Sequence, residues 1–533
     1  MENSFMEKVI KNKLRTLAFY LPQFHAVDIN DKWYGLGYTE WTAVKNAKSL
    51  YPGHYQPDEP LNDNYYDLLK KDTMVWQANL AKQYGVSGFC FYHYYFKDGR
   101  KVLEKPAENL LQWQDIDMPF CFDWANESWA RKWGKFKPGV SVNVWNKVVD
   151  LDAVQGPKEE IILEQAYGEA DDWQKHFAYL LPFFQDKRYI KKDGKPVFIF
   201  HRPEEIPCLQ EMTDLWNDLA KQAGLPGVFF IGTMLNPYTP CPVCLDARIL
   251  HFHHTAQYFV TDRSQQGGLP SDDYGLLCDA AVAYNTDLAD GRPSFYCIGT
   301  GFDNTPRWGT KGYVITDPSA KKFCSTLKKM MGISNDRGLE FLFLNAWNEW
   351  GEGMHLEPSK KDGFAYLEAV KEATDENNIH ALVPEQLSEH EQYCHKLLTD
   401  FGSALQGQRD LAEIMSVWLH MLCRGHSIGK YLLQHDCHNV AIYGYGNMGH
   451  HLAADLEGSG IGLNYVIDRR GTDGVWDAPC QVYGIDADLP KTDAVIVSVL
   501  NGWKELENSL HERGIVKTFS LVEILMEFKG KIA

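Results

Sequence analysis

Basic charge is scarce in this chain. It has 53 Lys and Arg against 71 Asp and Glu in 533 residues, a formal net charge of −18. Phosphate backbones are held by basic faces, so nucleic acid is excluded as the main partner. No apolar run reaches the roughly 18 uninterrupted residues that a membrane span requires, and no basic run is long enough for a membrane-surface patch. The stretch Met1 to Lys13 is polar and charged and lacks the apolar core of a secretion signal. The twelve cysteines follow no framework spacing. Several (Cys90, Cys121, Cys297) sit inside apolar runs, as buried thiols in a reducing compartment do. The expected location is cytoplasmic.

The chain is rich in core material. Hydrophobic residues make up 44% and aromatics 13%, which excludes a disordered chain. Its length exceeds what one core usually serves, so two domains are expected. Strand-like apolar runs recur at 14–24, 86–95, 118–124, 196–201, 228–233, 247–254, 295–300 and 340–345. Helix-like stretches lie between several of them, at 65–84, 171–184 and 211–223. About eight strand–helix repeats predict an α/β fold, a (β/α)8 TIM barrel over residues 1–375, whose chemistry gathers where the strands end.

The strand ends are alike in kind. The second closes in Tyr92, His93, Tyr94 and Tyr95. The third closes in Asp123, Trp124, Asn126, Glu127 and Trp129, with Arg131 just beyond. The fourth offers His201 and Arg202, and the seventh leads into Asp303 and Arg307. The eighth ends in Trp347, Asn348, Glu349, Trp350, Glu352, His355 and Glu357. Two carboxylates three residues apart and flanked by indoles suit acid–base chemistry on a sugar: indole faces pack on pyranose C–H groups while acids address the oxygens. The alternative, a Glu-rich loop capping the next helix, has no use for two Trp residues beside its acids.

Beyond residue 375 the texture changes. A charged helical connector is expected over 376–436, and a small Rossmann-like α/β domain over 437–533. There, a strand over 439–443 precedes Gly444, Gly446 and Gly449, then a helix, and a second strand over 463–467 ends at Asp468. The glycines would let backbone N–H groups approach a pyrophosphate, and Asp468 could accept from a ribose. Two readings stay open, a nucleotide site and a purely structural or regulatory module. No cofactor is required for the barrel.

Three weaker signals are set aside. Gly425-His426-Ser427-Ile428-Gly429 matches a nucleophile elbow but follows a helix, so Gly425 reads as a helix stop and Ser427 as the next N-cap. Cys241 and Cys244 with His251, His253 and His254 sketch a zinc site with poor spacing, and no metal is expected. Asp115 and Asp117 precede a strand, the wrong end for metal-bound transfer chemistry.

Several motifs then converge. Phe19–His25, Asn30–Trp33, Gly37–Thr42, Pro52–Pro57, Tyr92–Tyr94, Trp124–Glu127, Asp303–Thr305 and Asn345–Pro358 occur in one order. Together they resemble the glycoside hydrolase family 99-like proteins known as WbsX-type, of bacterial O-antigen and capsule (lipopolysaccharide) clusters, over residues 14–372. The resemblance implies a (β/α)8 fold and kinship with retaining endo-α-mannosidases. It implies that Glu349 assists the sugar 2-hydroxyl in attacking the anomeric carbon, while Glu352 protonates the leaving oxygen and later activates water. His93, Tyr94, Asp123, Asn126, Glu127, Arg131, Asp303, Arg307, Asn348, His355 and Glu357 are the candidate hydroxyl and charge partners. Trp41, Trp124, Trp129 and Trp347 are the candidate stacking platforms.

The resulting expectation is a carbohydrate-active protein of surface-polysaccharide biosynthesis, cleaving or transferring glycosidic bonds of an oligosaccharide or polysaccharide. Other enzymes of that biosynthesis are candidate partners. The rivals are a nucleotide-sugar-dependent glycosyltransferase and a non-catalytic glycan-binding assembly protein.

Overall fold

The computed structural model describes residues 14–130, 142–143, 161–237, 239–260, 264–284, 291–375, 414–415, 417–419, 421–422, 424–471, 478–499 and 503–532. The chain divides into two compact units, Met1–Leu398 and Thr399–Ala533. The candidate connector falls largely outside the described residues, as does Arg131.

In the first unit eight strands follow one another round a ring. They are β1 (Arg15–Tyr20), β2 (Gly88–Tyr95), β3 (Phe120–Trp124), β4 (Lys195–Phe200), β5 (Phe229–Met234), β6 (Ala247–Leu250), β7 and β8 (Phe341–Asn345). β7 comes in two pieces, Ser294–Phe295 and Cys297–Gly299. Each strand pairs in parallel with its sequence neighbours, and β8 returns to β1 with Arg15 opposite Phe341 and Ala18 opposite Leu344. The first piece of β7 pairs with β6 and the second with β8, so the ladder changes partner at Tyr296. This near-closed parallel ring is the expected barrel, and every expected strand coincides with an observed one.

Parallel strands covered on both faces are buried throughout, which is why each reads as an unbroken apolar run such as Phe341-Leu342-Phe343-Leu344. Alternation along the strands sorts the side chains between two environments. Phe19 packs on Tyr92, Phe343 and His251, residues of four different staves that can meet only inside the ring. Their odd-register neighbours face the helix layer. That layer includes α1 (Glu40–Asn46), α2 (Lys71–Gln83), α3 (Lys105–Gln112), α4 (Ala170–Gln185), α5 (Leu209–Gln222), α6 (Phe252–Ala256) and α7 (Tyr274–Tyr284). It continues with α8 (Thr305–Trp308), α9 (Ala320–Asp336) and α10 (Ala365–Thr374). Among the described residues no helix joins β5 to β6. The helix expected from residue 65 starts six residues later. Residues 65–70 instead run as a loop tied to the barrel, with Leu68 N–H donating to Phe24 O.

The second unit carries five parallel strands: β9 (Asn439–Tyr443), β10 (Gly462–Ile467), β11 (Gln481–Tyr483), β12 (Ala494–Val497) and β13 (Thr518–Ser520). They stand in the order β11-β10-β9-β12-β13, the arrangement of a Rossmann half-fold. After β9, Gly444 turns the chain at φ +87 into α11 (Asn447–Leu456). A Cβ on Gly449 would overlap Gly444 O, so this close helix–strand approach requires glycine. Among the described residues no helix is long and apolar enough to cross a membrane.

Candidate active site

Past β8 the chain folds into a tight hairpin. Asn348–Glu349 pairs antiparallel with Met354–His355, and the short loop between them holds Trp350, Gly351 and Glu352. Gly353 closes it at φ +61, within the left-handed region that favours glycine. The two acids are therefore fixed on one small, stiff turn.

Arg307 lies at their centre. Its Nε donates to Glu40 Oε1 at 2.7 Å, its Nη1 to Glu352 Oε1 at 2.6 Å and its Nη2 to Glu349 Oε2 at 2.8 Å. One buried guanidinium, delivered by the segment after β7, thus serves three carboxylates, one from α1 and two from the hairpin after β8. Asp303 aims it. The Asp303 carboxylate accepts from Thr305 N–H and Oγ1 at the start of α8, and its own N–H donates to Glu352 O at 2.7 Å. His54 Nε2 and Gln56 Nε2 each bond to Asp303 Oδ2 at 2.7 Å. Burial would raise this acid, but these donors hold it below the ordinary carboxylate value.

Three carboxylates facing one cation leave an excess of negative charge in a dry place. Burial is the largest influence on Glu349, with Glu352 and Glu40 adding to it and Arg307 opposing, and the carboxyl is pushed up to about 8. Glu40 is also raised, again by burial first and against the pull of Arg307. The cluster therefore keeps a proton at neutral pH. Its two hairpin acids are not equally open: the Glu349 side chain is 7% exposed and that of Glu352 26%. Tyr92 and Tyr94 line the same side. Burial first, then Glu349, raises both phenols well above their ordinary value, so they stay neutral hydroxyls.

Other candidate residues hold the hairpin in place from behind. Glu357 accepts from Trp350 Nε1 at 2.8 Å, Tyr66 Oη at 2.7 Å and Gln77 Nε2 at 2.7 Å. Asn348 exchanges hydrogen bonds with the Leu21 backbone, donating at 3.0 Å and accepting at 2.7 Å. His355 stacks under Trp350 with ring centres 3.6 Å apart and meets Asp58 Oδ2 at 3.0 Å. All three are buried and support the acid turn.

The four candidate platforms are likewise packed inside. Trp347 and Trp129 have no exposed surface. Trp347 lies on Phe89, and Trp124 donates its Nε1–H to Tyr95 O. Trp41 donates to Tyr66 O and packs on Trp350. Trp129 packs edge-on against Tyr94. His93 is displaced as well. It occupies the odd register between Tyr92 and Tyr94, so it faces outward to His176 of α4 at 2.8 Å, and burial drives it down to about 3.

Across the mouth, Asp123 meets His201 Nδ1 at 3.0 Å. Burial alone would lower that imidazole, but Asp123 and Glu127 turn the shift upward. Asn126 bonds to both backbone groups of Arg202, and Glu127 pairs with its Nε at 3.6 Å. Sequence reasoning missed Glu40, His54, Gln56, Tyr66 and Gln77. The first three lie within the motifs Gly37–Thr42 and Pro52–Pro57, where a polar residue between aromatics or prolines was the available signal.

The signals set aside resolve simply. Ser427 Oγ accepts from Lys430 N–H as the N-cap of the helix Ile428–Gln434, after Gly425 at φ +77. Asp115 and Asp117 pair with Lys71 and Lys82 at the surface. In the second unit Asp468 accepts from Tyr445 N–H at 2.7 Å and from Arg470 N–H and Nε, which hold it at about 2 against burial. Those bonds occupy both oxygens that a ribose would use.

Comparison with known proteins places the first unit. A family model described as "Glycosyltransferase WbsX" matches residues 16–370. Two proteins named "Uncharacterized protein WxcX", from two strains of Xanthomonas campestris pv. campestris, are each 30% identical over 368 residues. That alignment takes in 67% of this chain and 49% of theirs, so the chain spans about half the length of the curated relatives it matches. Among solved structures, a "Glycoside hydrolase-like protein" aligns with a TM-score of 0.43 at 13% identity, over 68% of this chain and 94% of its own. The GH99 endo-alpha-mannosidase from Bacteroides thetaiotaomicron aligns with a TM-score of 0.41 at 14% identity, over 69% and 99%. With two thirds of its length matched in a single continuous span, this chain belongs to the WbsX glycosyltransferase family.

Proposed function

We propose that the barrel is a glycan-processing site of surface-polysaccharide biosynthesis that cleaves or transfers glycosidic bonds with Glu349 and Glu352. The observation that carries the reading is the shared arginine: two carboxyls on one turn are fixed by adjacent nitrogens of Arg307, and burial raises one of them, Glu349, to about 8. Acid–base catalysis at a glycosidic oxygen needs that charge state, one group ready to give a proton and one ready to take it. Glu352 is the more open carboxyl and is the one to meet the glycosidic oxygen. On this reading the proton carried by Glu349 passes to Glu352 as the sugar docks. Glu349, against Arg307 Nη2, then takes the ionised role toward the sugar 2-hydroxyl.

The test uses synthetic glycosides with good and poor leaving groups. Glu352→Gln should lose about 10²–10⁴ in turnover on poor leaving groups and far less on activated aryl glycosides, whose departure needs no proton. Glu349→Gln should lose on both. Undiminished turnover in both variants overturns the assignment. Calorimetric titration with sugar nucleotides separates transfer from hydrolysis. Donor binding would make the barrel a transferase, and its loss on changing Gly446 would place the nucleotide at the turn of Gly444, Gly446, Gly449 and Asp468.

A further inference from the structure

The segment leaving β6 brings three imidazoles to the same rim as the acid cluster. His251 precedes α6, and His253 and His254 lie in its first turn. One ring nitrogen from each lies within 4.8 Å of the other two. Nδ1 of His251 and Nδ1 of His253 are buried and have no hydrogen-bond partner. Leaving a buried polar atom unpaired costs about 1–3 kcal/mol, and here two such atoms fall two residues apart in one cluster. Cys241 and Cys244, once grouped with these histidines, do not join them.

We propose that His251, His253 and His254 form a binding site for one divalent transition-metal ion of the zinc class. Three imidazole nitrogens with a fourth position left open are the ligand set of zinc sites that also receive water or a substrate oxygen. Tetrahedral zinc needs its ligand nitrogens about 3.3 Å apart, so the rings close by small side-chain rotations. Burial and mutual proximity support the chemistry: all three rings are held below their ordinary value, His254 down to about 3, and a neutral imidazole is the ligating form.

The surroundings supply an outer partner and a charge balance. Asn345, at the end of β8, meets His251 Nε2 at 3.1 Å through its amide nitrogen, while its Oδ1 is buried and unpaired. Turning that amide over lets Oδ1 accept from Nε2–H, which frees the Nδ1 lone pair for the ion. A metal-bound histidine characteristically donates its other N–H to such an oxygen. Arg202, whose charge acts on His251 and His254, is offset by Glu127, Glu204 and Glu205 at 3.6, 3.6 and 3.3 Å. The open coordination position would face the mouth between β6 and β8, where a substrate hydroxyl could fill it.

The experiment takes the full chain without a polyhistidine tag, strips it with chelator and titrates it with Zn²⁺ by calorimetry. Co²⁺ is titrated in parallel, with its visible absorption reporting the coordination. One equivalent should bind, and His253→Gln and His254→Gln should each weaken it by about tenfold or more. The double variant Cys241→Ser/Cys244→Ser and the exposed His435→Gln should bind as the parent does. His254 is half-buried at the rim, so its variant keeps the test alive if changes at His251 or His253 impair folding. Absence of stoichiometric binding, undiminished binding in the folded His254→Gln variant, or loss of binding in the cysteine variant overturns the proposal.

Discussion

Replacing Glu349 by Gln should change how stability responds to pH, and the sign follows from the raised carboxyl. Its ordinary value is 4.5 and its folded value about 8. Between these the unfolded chain has released a proton that the folded chain retains, so stability falls as pH rises through that window. Below 4.5 the contribution is fully present, and above 8 it is lost. The full span of about 3.5 units corresponds to about 5 kcal/mol, carried by the coupled cluster as a whole. At about 2 °C per kcal/mol, the wild-type melting temperature should drop by up to about 10 °C between pH 5 and pH 9 from this source alone. Glutamine has the shape of the protonated acid and does not titrate. The difference in melting temperature, variant minus wild type, should therefore start near zero at pH 5 and grow with pH, followed by scanning fluorimetry in matched buffers. Groups outside the cluster titrate equally in both proteins and cancel. A difference that stays constant across the range would refute the retained proton and, with it, the resting charge state of the site.

Two further outcomes follow from packing. A Cβ on Gly351 would overlap Glu40 Oε1 and lie 2.7 Å from Arg307 Nε, both held by charge and unable to withdraw. Gly351→Ala should cost about 1–3 kcal/mol and most of the turnover; an unchanged melting temperature would mean the cluster is looser than described. Trp347→Ala should cost about 3–5 kcal/mol while leaving the KM for glycan unchanged in the folded fraction, since the indole is wholly buried. A raised KM with little loss of stability would restore Trp347 as a sugar platform.

The barrel was legible because parallel strands buried on both faces must be apolar along their whole length, and those runs stand out between polar loops. The nearness of Glu349 and Glu352 was legible too, from three-residue spacing after a strand. What one-dimensional order could not convey is which way a residue points. His93 reads like its neighbours Tyr92 and Tyr94, yet alternation turns it to His176. The tryptophans carry the residue type of sugar platforms and are buried. The threefold grip of Arg307 joins residues up to 267 positions apart, a relation no local pattern encodes. Asp468 sits where a ribose-binding acid would, and only its geometry reveals Arg470 as a competing partner.

Arg307, Glu40 and the hairpin acids all spring from one third of the rim, staves seven, eight and one. The opposite arc, staves three to six, contributes Asp123, His201, Arg202 and the three neighbouring imidazoles. The arginine-bound acids and the polar groups of the far arc thus stand in separate sectors of the rim. Under the proposed function, loops on the far arc can change without disturbing the arginine-bound acids, so saccharide contacts and the bond-breaking pair can vary independently.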